Sequence, residues 1–240
     1  MSGSSIRGIF FSGDPADGFG MMMSGNKTFV IGDIHGQLGM LENLMAKIPW
    51  RPDKDALVFL GDYIDRGPDS RGVVDYILSL TGNYSRIGCV LGNHEGMLLD
   101  YLAGVNKDLY LSNGGGPTLK AYKRDKGYFS TLLSHEMPND HMSFYASLKP
   151  FFELEDYYLV HAGFRPGVPM ALQTKTDMMW IREPFISSTY DFGKKIVFGH
   201  TPVLEPLVMK NKIGLDTGAA YGRRLCCLEL PAEKFYFVTV

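Results

Sequence analysis

The chain has 240 residues, is 45% hydrophobic and 21% charged, and sets 24 basic against 26 acidic side chains. These values describe an ordinary soluble globular protein long enough to bury a core, and a net charge of −2 disfavours non-specific binding to a nucleic-acid backbone. Its cysteines, Cys89 and the adjacent Cys226 and Cys227, supply neither a disulfide framework nor a CxxC metal knuckle, so a reducing, cytoplasmic setting is expected.

Residues 1–27 are rich in Gly and Ser and hold the run Met21-Met22-Met23. With Arg7 the sole basic residue before Lys27, and Ile9-Phe10-Phe11 too short for a signal core, this segment reads as a flexible extension. No stretch approaches the roughly 20 apolar residues that span a bilayer, so no membrane association is expected. From Thr28 the texture changes. Phe29-Val30-Ile31 runs into Gly32-Asp33, and Leu38, Leu41, Leu44 and Met45 then recur at helical spacing until Pro49. A second apolar run, 56–60, ends at Gly61-Asp62, and Val73, Ile77, Leu78 and Leu80 predict the next helix. A third run, 87–91, ends at Gly92-Asn93-His94. Three cycles of strand, polar motif and helix predict an α/β core with polar groups gathered beyond the carboxyl ends of its strands.

Residues 102–150, broken by Gly114-Gly115-Gly116-Pro117 and mostly helical in texture over 122–148, read as an insert within a single domain spanning 28–240. Strands are predicted over 157–160, ending at His161, and over 196–198, ending at Gly199-His200. The runs 213–215, 225–230 and 235–240 read as closely spaced strands of an antiparallel sheet.

The metal-capable side chains fall at the strand ends: Asp33 and His35, Asp62, Asn93 and His94, His161, and His200. An Asp-x-His pair on extended backbone points both side chains to one side. A carboxylate such as Asp62 can bridge two cations. Mixed Asp, His and Asn donors favour Mn²⁺, Fe or Zn²⁺ over the oxygen cages of Ca²⁺. Gly32, Gly61, Gly92 and Gly199 each precede a candidate ligand, where a missing Cβ permits close approach of the backbone. His135 and His141 match no ligand motif and are expected at the surface, while Cys226 and Cys227 are expected to pack.

Gly32-Asp33-Ile34-His35-Gly36, Gly61-Asp62-Tyr63-Ile64-Asp65-Arg66-Gly67 and Gly92-Asn93-His94-Glu95 resemble the three signature motifs of the phosphoprotein phosphatase family of calcineurin-like metallophosphoesterases. His161-Ala162-Gly163 and Gly199-His200-Thr201-Pro202 are similar to the family's two later histidine motifs, and Trp180-Ile181-Arg182-Glu183 resembles its compact bacterial and phage-type branch. The resemblance implies a central β-sandwich flanked by helices and two divalent ions, with Mn²⁺ the first expectation and Fe or Zn²⁺ the others. Asp33, His35 and Asp62 would hold one, and Asp62, Asn93, His161 and His200 the second.

It further implies a phosphomonoesterase acting on phosphoserine, phosphothreonine and, as a further candidate, phosphotyrosine in proteins or peptides, and on small phosphate esters in vitro. A hydroxide bridging the ions would attack phosphorus in line, without a phosphoenzyme. Arg66 and Arg182 would clamp the phosphoryl oxygens. His94 would protonate the leaving alkoxide, with Asp65 orienting its imidazole. Read without the resemblance, Asp65 could instead cap the following helix and Arg182 could pair with Glu183 at the surface. The segment from Asp216 to Ala219, Tyr221 and Asn113-Gly114-Gly115 resemble parts of the family near the substrate rim, with core packing or an ordinary turn as the alternative. Symmetrical hydrolysis of diadenosine tetraphosphate, carried out by relatives with the same metal motifs, is the competing activity.

Overall fold

The computed structural model describes residues 27–123 and 136–239. The extension predicted over 1–27, apart from Lys27, and His135 lie outside the described residues. The first half of the chain alternates β1 (Thr28–Ile31), α1 (Leu38–Lys47), β2 (Ala56–Phe59), α2 (Ser70–Asn83), β3 (Ile87–Cys89) and α3 (Asn93–Leu102). Short helices follow, α4 (Lys107–Ser112), α5 (Gly116–Tyr122) and α6 (Asn139–Ser147). The second half holds β4 (Phe151–Glu153), β5 (Tyr157–Val160), α7 (Lys175–Trp180), β6 (Lys195–Phe198), β7 (Leu207–Val208), β8 (Lys212–Gly214), β9 (Arg224–Leu230) and β10 (Lys234–Thr239).

Two five-stranded mixed sheets result, ordered β10-β9-β1-β2-β3 and β4-β5-β6-β8-β7. β1, β2 and β3 run parallel, as do β5, β6 and β8. Strand alternation decides what each face covers. Val30, Val58 and Leu228 of the first sheet share a buried cluster with Leu159, Val197 and Ile213 of the second, so the sheets pack face to face. On the opposite face of the first sheet, Phe29, Ile31, Leu57 and Phe59 pack against Leu41 and Leu44 of α1 and Val73 and Ile77 of α2. On the outer face of the second, Tyr158, Val160, Ile196 and Phe198 meet Met178 of α7 and the rings of Phe164 and Phe185. The fold is therefore an α/β sandwich flanked by helices. β1 and β2 are covered on both faces, which is why they read as unbroken apolar runs.

Local signals act where expected. Asp69 caps α2, its carboxylate accepting from the Gly72 N–H at 2.8 Å. α1 stops at Ile48, whose extended backbone is what a following Pro49 demands. Cys226 and Cys227 are both buried, on opposite faces of β9.

Two expectations need correction. The run at 213–215 does not belong to an antiparallel sheet with the C-terminal strands: β8 pairs parallel to β6 in the second sheet, while β9 and β10 form a hairpin on β1 in the first. The crossing is made by a loop whose 3-10 turn, Ala219–Tyr221, is flanked by left-handed Gly218 and Gly222. His141 is not at the surface but 1% exposed, its Nε2 2.8 Å from Asp75 Oδ1 and its Nδ1 2.7 Å from the Tyr122 hydroxyl. Burial is tolerated because both ring nitrogens have partners. Among the described residues no helix is long and apolar enough to cross a membrane.

Candidate metal centre and active site

All the predicted ligands converge at the carboxyl ends of parallel strands from both sheets. Asp33 and His35 follow β1, Asp62 follows β2, Asn93 opens α3 after β3, His161 follows β5 and His200 follows β6. All six are buried. The backbone there is strained: His35, Asp62, Asp65, Arg66 and His200 have φ values of 50, 51, 72, 66 and 61°, in the left-handed region that costs a side-chain-bearing residue about 1–2 kcal/mol. Backbone hydrogen bonds hold the turns, with the Ile34 and His35 N–H groups both donating to the Asp62 carbonyl at 3.1 and 2.8 Å. The four glycines stand where any Cβ would collide. At Gly92 it would lie 2.3 Å from Asp62 Oδ1, and at Gly199 2.0 Å from Asp33 Oδ1.

Asp62 lies at the centre. Its Oδ2 is 3.5 Å from His35 Nε2 and its Oδ1 is 3.4 Å from His161 Nε2. Asn93 Oδ1 stands 2.9 Å from His161 Nε2 and 3.0 Å from His200 Nδ1. Two potential metal clusters share this carboxylate, His35 with Asp62 and His94, and Asp62 with His161 and His200, their donor atoms within 4.8 Å of one another. Asp33 is turned to the His200 N–H, which its Oδ2 meets at 2.9 Å.

The donor chemistry suits divalent cations. The Nδ1–H groups of His35 and His161 donate to the carbonyls of Ile64 and Leu60, both at 2.9 Å, which leaves each Nε2 lone pair facing inward. Burial lowers the pKa of His161 and takes those of His35 and His200 down to about 3, so the rings stay neutral. Burial raises Asp33 well above the carboxylate range, assisted by the charges of Asp216 and Asp62, and pushes Asp216 up to about 6. Burial would raise Asp62 too, but the attraction it feels from His161, His94, His35 and His200 once acid has protonated those rings reverses the effect and holds it below the ordinary range. Crowded carboxylates among neutral, inward-facing imidazoles are the setting that a bound cation stabilises.

One member of the first cluster, His94, also belongs to a dyad. His94 Nδ1 is 2.6 Å from Asp65 Oδ2, both side chains are buried, and His94 Nε2 has no hydrogen-bond partner although it is also buried. The Asp65 side chain is therefore not a helix cap, since Asp69 fills that place. Arg66 Nη1 donates to His35 Nε2 at 2.9 Å, and its guanidinium lies 6.0 Å from the centre of the exposed Tyr221 ring. Arg182 sits by the His200 carbonyl, and both guanidinium charges act on Asp216, so the two arginines face one site. Trp180 is partly exposed and packs edge-on against His200, with centroids 6.1 Å apart.

Sequence reasoning assigned no role to Glu95, Tyr110 or Thr118. Glu95 is fully buried and accepts the N–H groups of Tyr63, Asp62 and Gly92 at 2.9, 3.0 and 3.2 Å, locking the second motif to the third. Its place three residues into the helix is a capping-box signal. Tyr110 and Thr118 reach Asp65 from distant positions with no local signature.

This assembly of a two-sheet sandwich, strand-end Asp, His and Asn donors and a flanking Asp-His dyad defines a metal-dependent phosphoester hydrolase. The chain belongs to the calcineurin-like phosphoesterase family, which it matches over residues 27–228. It is 31% identical over 209 residues to serine/threonine-protein phosphatase 1 of Salmonella typhimurium, covering 82% of this chain and 89% of that one. It is 27% identical over 229 residues to the asymmetrical bis(5'-nucleosyl)-tetraphosphatase PrpE of Bacillus thuringiensis, covering 85% and 91%. The crystal structure of a putative diadenosine tetraphosphatase shares the fold, with a TM-score of 0.71 at 24% identity over 90% of this chain and 94% of that one.

Proposed function

We propose that this protein removes phosphate from phosphoserine and phosphothreonine, and from phosphotyrosine as a further substrate, in proteins or peptides. The observation that carries this reading is the buried His94–Asp65 dyad with its unpartnered Nε2. An alkyl phosphate expels an alkoxide, which needs a proton as the bond to phosphorus breaks, whereas a nucleotide leaving from a polyphosphate departs as a stable phosphate anion. A positioned acid is therefore of most use to a phosphomonoesterase acting on alcohols.

Asp33, His35, Asp62, Asn93, His161 and His200 would hold two divalent ions, with Mn²⁺ the first candidate. When bound, such ions supply Lewis-acid activation of the attacking water and of the phosphoryl group. The chain's own groups do the rest. Arg66 and Arg182 bind the non-bridging oxygens through paired donors and orient the ester for in-line displacement. His94 carries the proton for the leaving oxygen on Nε2, and Asp65 fixes the ring through Nδ1. Strand-end backbone in the left-handed region keeps His35, Asp62 and His200 turned inward.

Hydrolysis of dinucleoside tetraphosphates is the second reading. The tetraphosphatase relatives support it, and so do the exposed faces of Trp180 and Tyr221 beside His200 and Arg66, where nucleobases could stack. The test is kcat/KM for a phosphoserine peptide against diadenosine tetraphosphate. A strong preference for the peptide is expected, and a strong preference for the dinucleotide would overturn the first reading in favour of the second.

A further inference from the structure

Asp65 is held by more than its histidine. Its Oδ1 accepts from the Tyr110 hydroxyl at 2.7 Å and the Thr118 hydroxyl at 2.6 Å. Its own N–H is received by Ser70 Oγ at 2.9 Å and Thr118 Oγ1 at 3.0 Å. Asp65, Tyr110 and Thr118 are all 0% exposed. With Oδ1 engaged by two donors, rotation of the carboxylate about its Cβ–Cγ bond is blocked, and Oδ2 is left aligned on His94 Nδ1 at 2.6 Å. Tyr110 belongs to α4 and Thr118 to α5, so helices remote in sequence from the metal motifs complete the chain of contacts to His94.

The connection between these helices is shaped for the task. A Cβ at position 115 would lie 2.5 Å from Cε1 and Cζ of the Tyr110 ring, so Gly115 is what lets the ring reach Asp65. The adjoining Gly114 carbonyl accepts the Arg66 N–H at 3.0 Å. One loop thus fixes both the backbone of the phosphate-binding arginine and the partner of the acid's orienting carboxylate.

We propose that Tyr110 and Thr118 are positioning residues for the acid step, acting through Asp65 to hold the His94 ring. The proposal rests on His94 being the acid, and the two claims separate experimentally. The full chain, loaded with Mn²⁺, is assayed as Tyr110→Phe, Thr118→Val, Thr118→Ser and His94→Asn on a phosphoserine peptide and on p-nitrophenyl phosphate, whose leaving group needs no proton. A general acid supplies about 10²- to 10⁴-fold, so losing one of two clamps is expected to cost about tenfold in kcat on the peptide. The aryl ester should lose far less, with KM unmoved for both. Thr118→Ser, which restores the hydroxyl, should recover the peptide rate. In a His94→Asn background, Tyr110→Phe should add nothing, as expected of residues acting as one unit. Long-range ¹H–¹⁵N spectra should show the His94 ring leaving its single Nδ1-bonded state in Tyr110→Phe and Thr118→Val. Equal losses on both esters in Tyr110→Phe and Thr118→Val, or full peptide activity in both, while His94→Asn remains selective for the peptide, would overturn the positioning role and leave the acid reading standing. Equal losses on both esters in His94→Asn would overturn the acid reading and this proposal with it. If Thr118→Val does not fold, Tyr110→Phe and the ring spectra decide the matter alone.

Discussion

Replacing Gly199 by alanine tests the metal centre without touching a ligand. The new Cβ would lie 2.0 Å from Asp33 Oδ1, where ordinary contact begins at 3.4 Å, so one of the two must yield by more than an ångström. The backbone is the stiffer partner, because the Gly199 N–H donates to the His161 carbonyl at 2.7 Å and Leu215 N–H pairs with Phe198. The Asp33 carboxylate therefore swings away and abandons the His200 N–H, which it meets at 2.9 and 3.2 Å. Leaving a buried donor without its carboxylate costs about 1–3 kcal/mol, and for a chain of this size about 2 kcal/mol lowers Tm by about 4–8 °C. Metal affinity should fall further, by about 10- to 100-fold, as when the groups orienting a metal's ligands are lost. Calorimetric titration of metal-free protein with Mn²⁺ measures this directly. Gly82→Ala in α2, where a Cβ meets nothing within 4 Å, is the control and should be neutral or stabilising by up to about 1 kcal/mol. Mn²⁺ affinity in Gly199→Ala within twofold of the parent would refute the placing of Asp33 among the ligands.

Arg66→Lys and Arg182→Lys should each lower kcat/KM for phosphate esters by about 10- to 100-fold, since lysine keeps the charge and loses the paired donors; unchanged kinetics in either would remove that arginine from the site. Adding Mn²⁺ to chelator-treated protein at about 100 times its Kd should stabilise the fold by about 2.7 kcal/mol, read as a rise in Tm that Asp62→Asn diminishes. The hydrogen bond from Arg51 is the chief reason Asp55 lies below the ordinary carboxylate range. Because the folded value is the lower one, the stability this pair contributes is complete above the unfolded value of 3.8 and fades as pH falls through the folded value. Urea unfolding of Asp55→Asn and the parent should therefore differ at pH 7 and converge on acidification, and a constant gap would contradict the assignment.

Much of the architecture is legible in the sequence, for a physical reason. β1, β2, β5 and β6 are covered on both faces, so they appear as uninterrupted apolar runs, and parallel strands place whatever follows them at one edge. The placing of Asp33, Asp62, Asn93, His161 and His200 at strand ends is legible because each directly ends an apolar run or lies next to its terminal glycine. What was illegible depended on pairings over distance. A three-residue strand such as β8 carries no mark of which sheet it joins. His141 reads as a surface residue until Asp75, 66 positions away, and Tyr122 are brought to its two nitrogens. Tyr110 and Thr118 are 45 and 53 positions from the carboxylate they hold, and nothing in their immediate sequence foretells it.

The division of the candidate ligands between the two sheets has an energetic consequence. Asp33, His35, Asp62 and Asn93 arrive on the first sheet, and His161 and His200 on the second, where the buried Asp216 stands beside them without belonging to the set. The contacts that orient them cross between the sheets: His161 Nδ1 to the Leu60 carbonyl, the His200 N–H to Asp33, and Gly32 packed so closely on Leu215 that a Cβ would lie 2.8 Å from its carbonyl oxygen. Neither sheet can present the site alone, so the centre forms only as the sandwich closes. Closure then brings together five residues with left-handed backbone and the carboxylates of Asp33, Asp62 and Asp216. These costs are concentrated at one point, while the apolar cluster between the sheets that offsets them is spread over many side chains. A bound cation acts on the electrostatic part of the cost alone. Metal binding and sheet closure must therefore be thermodynamically linked, and substitutions that loosen the cross-sheet contacts should weaken metal affinity even when they lie outside the ligand set.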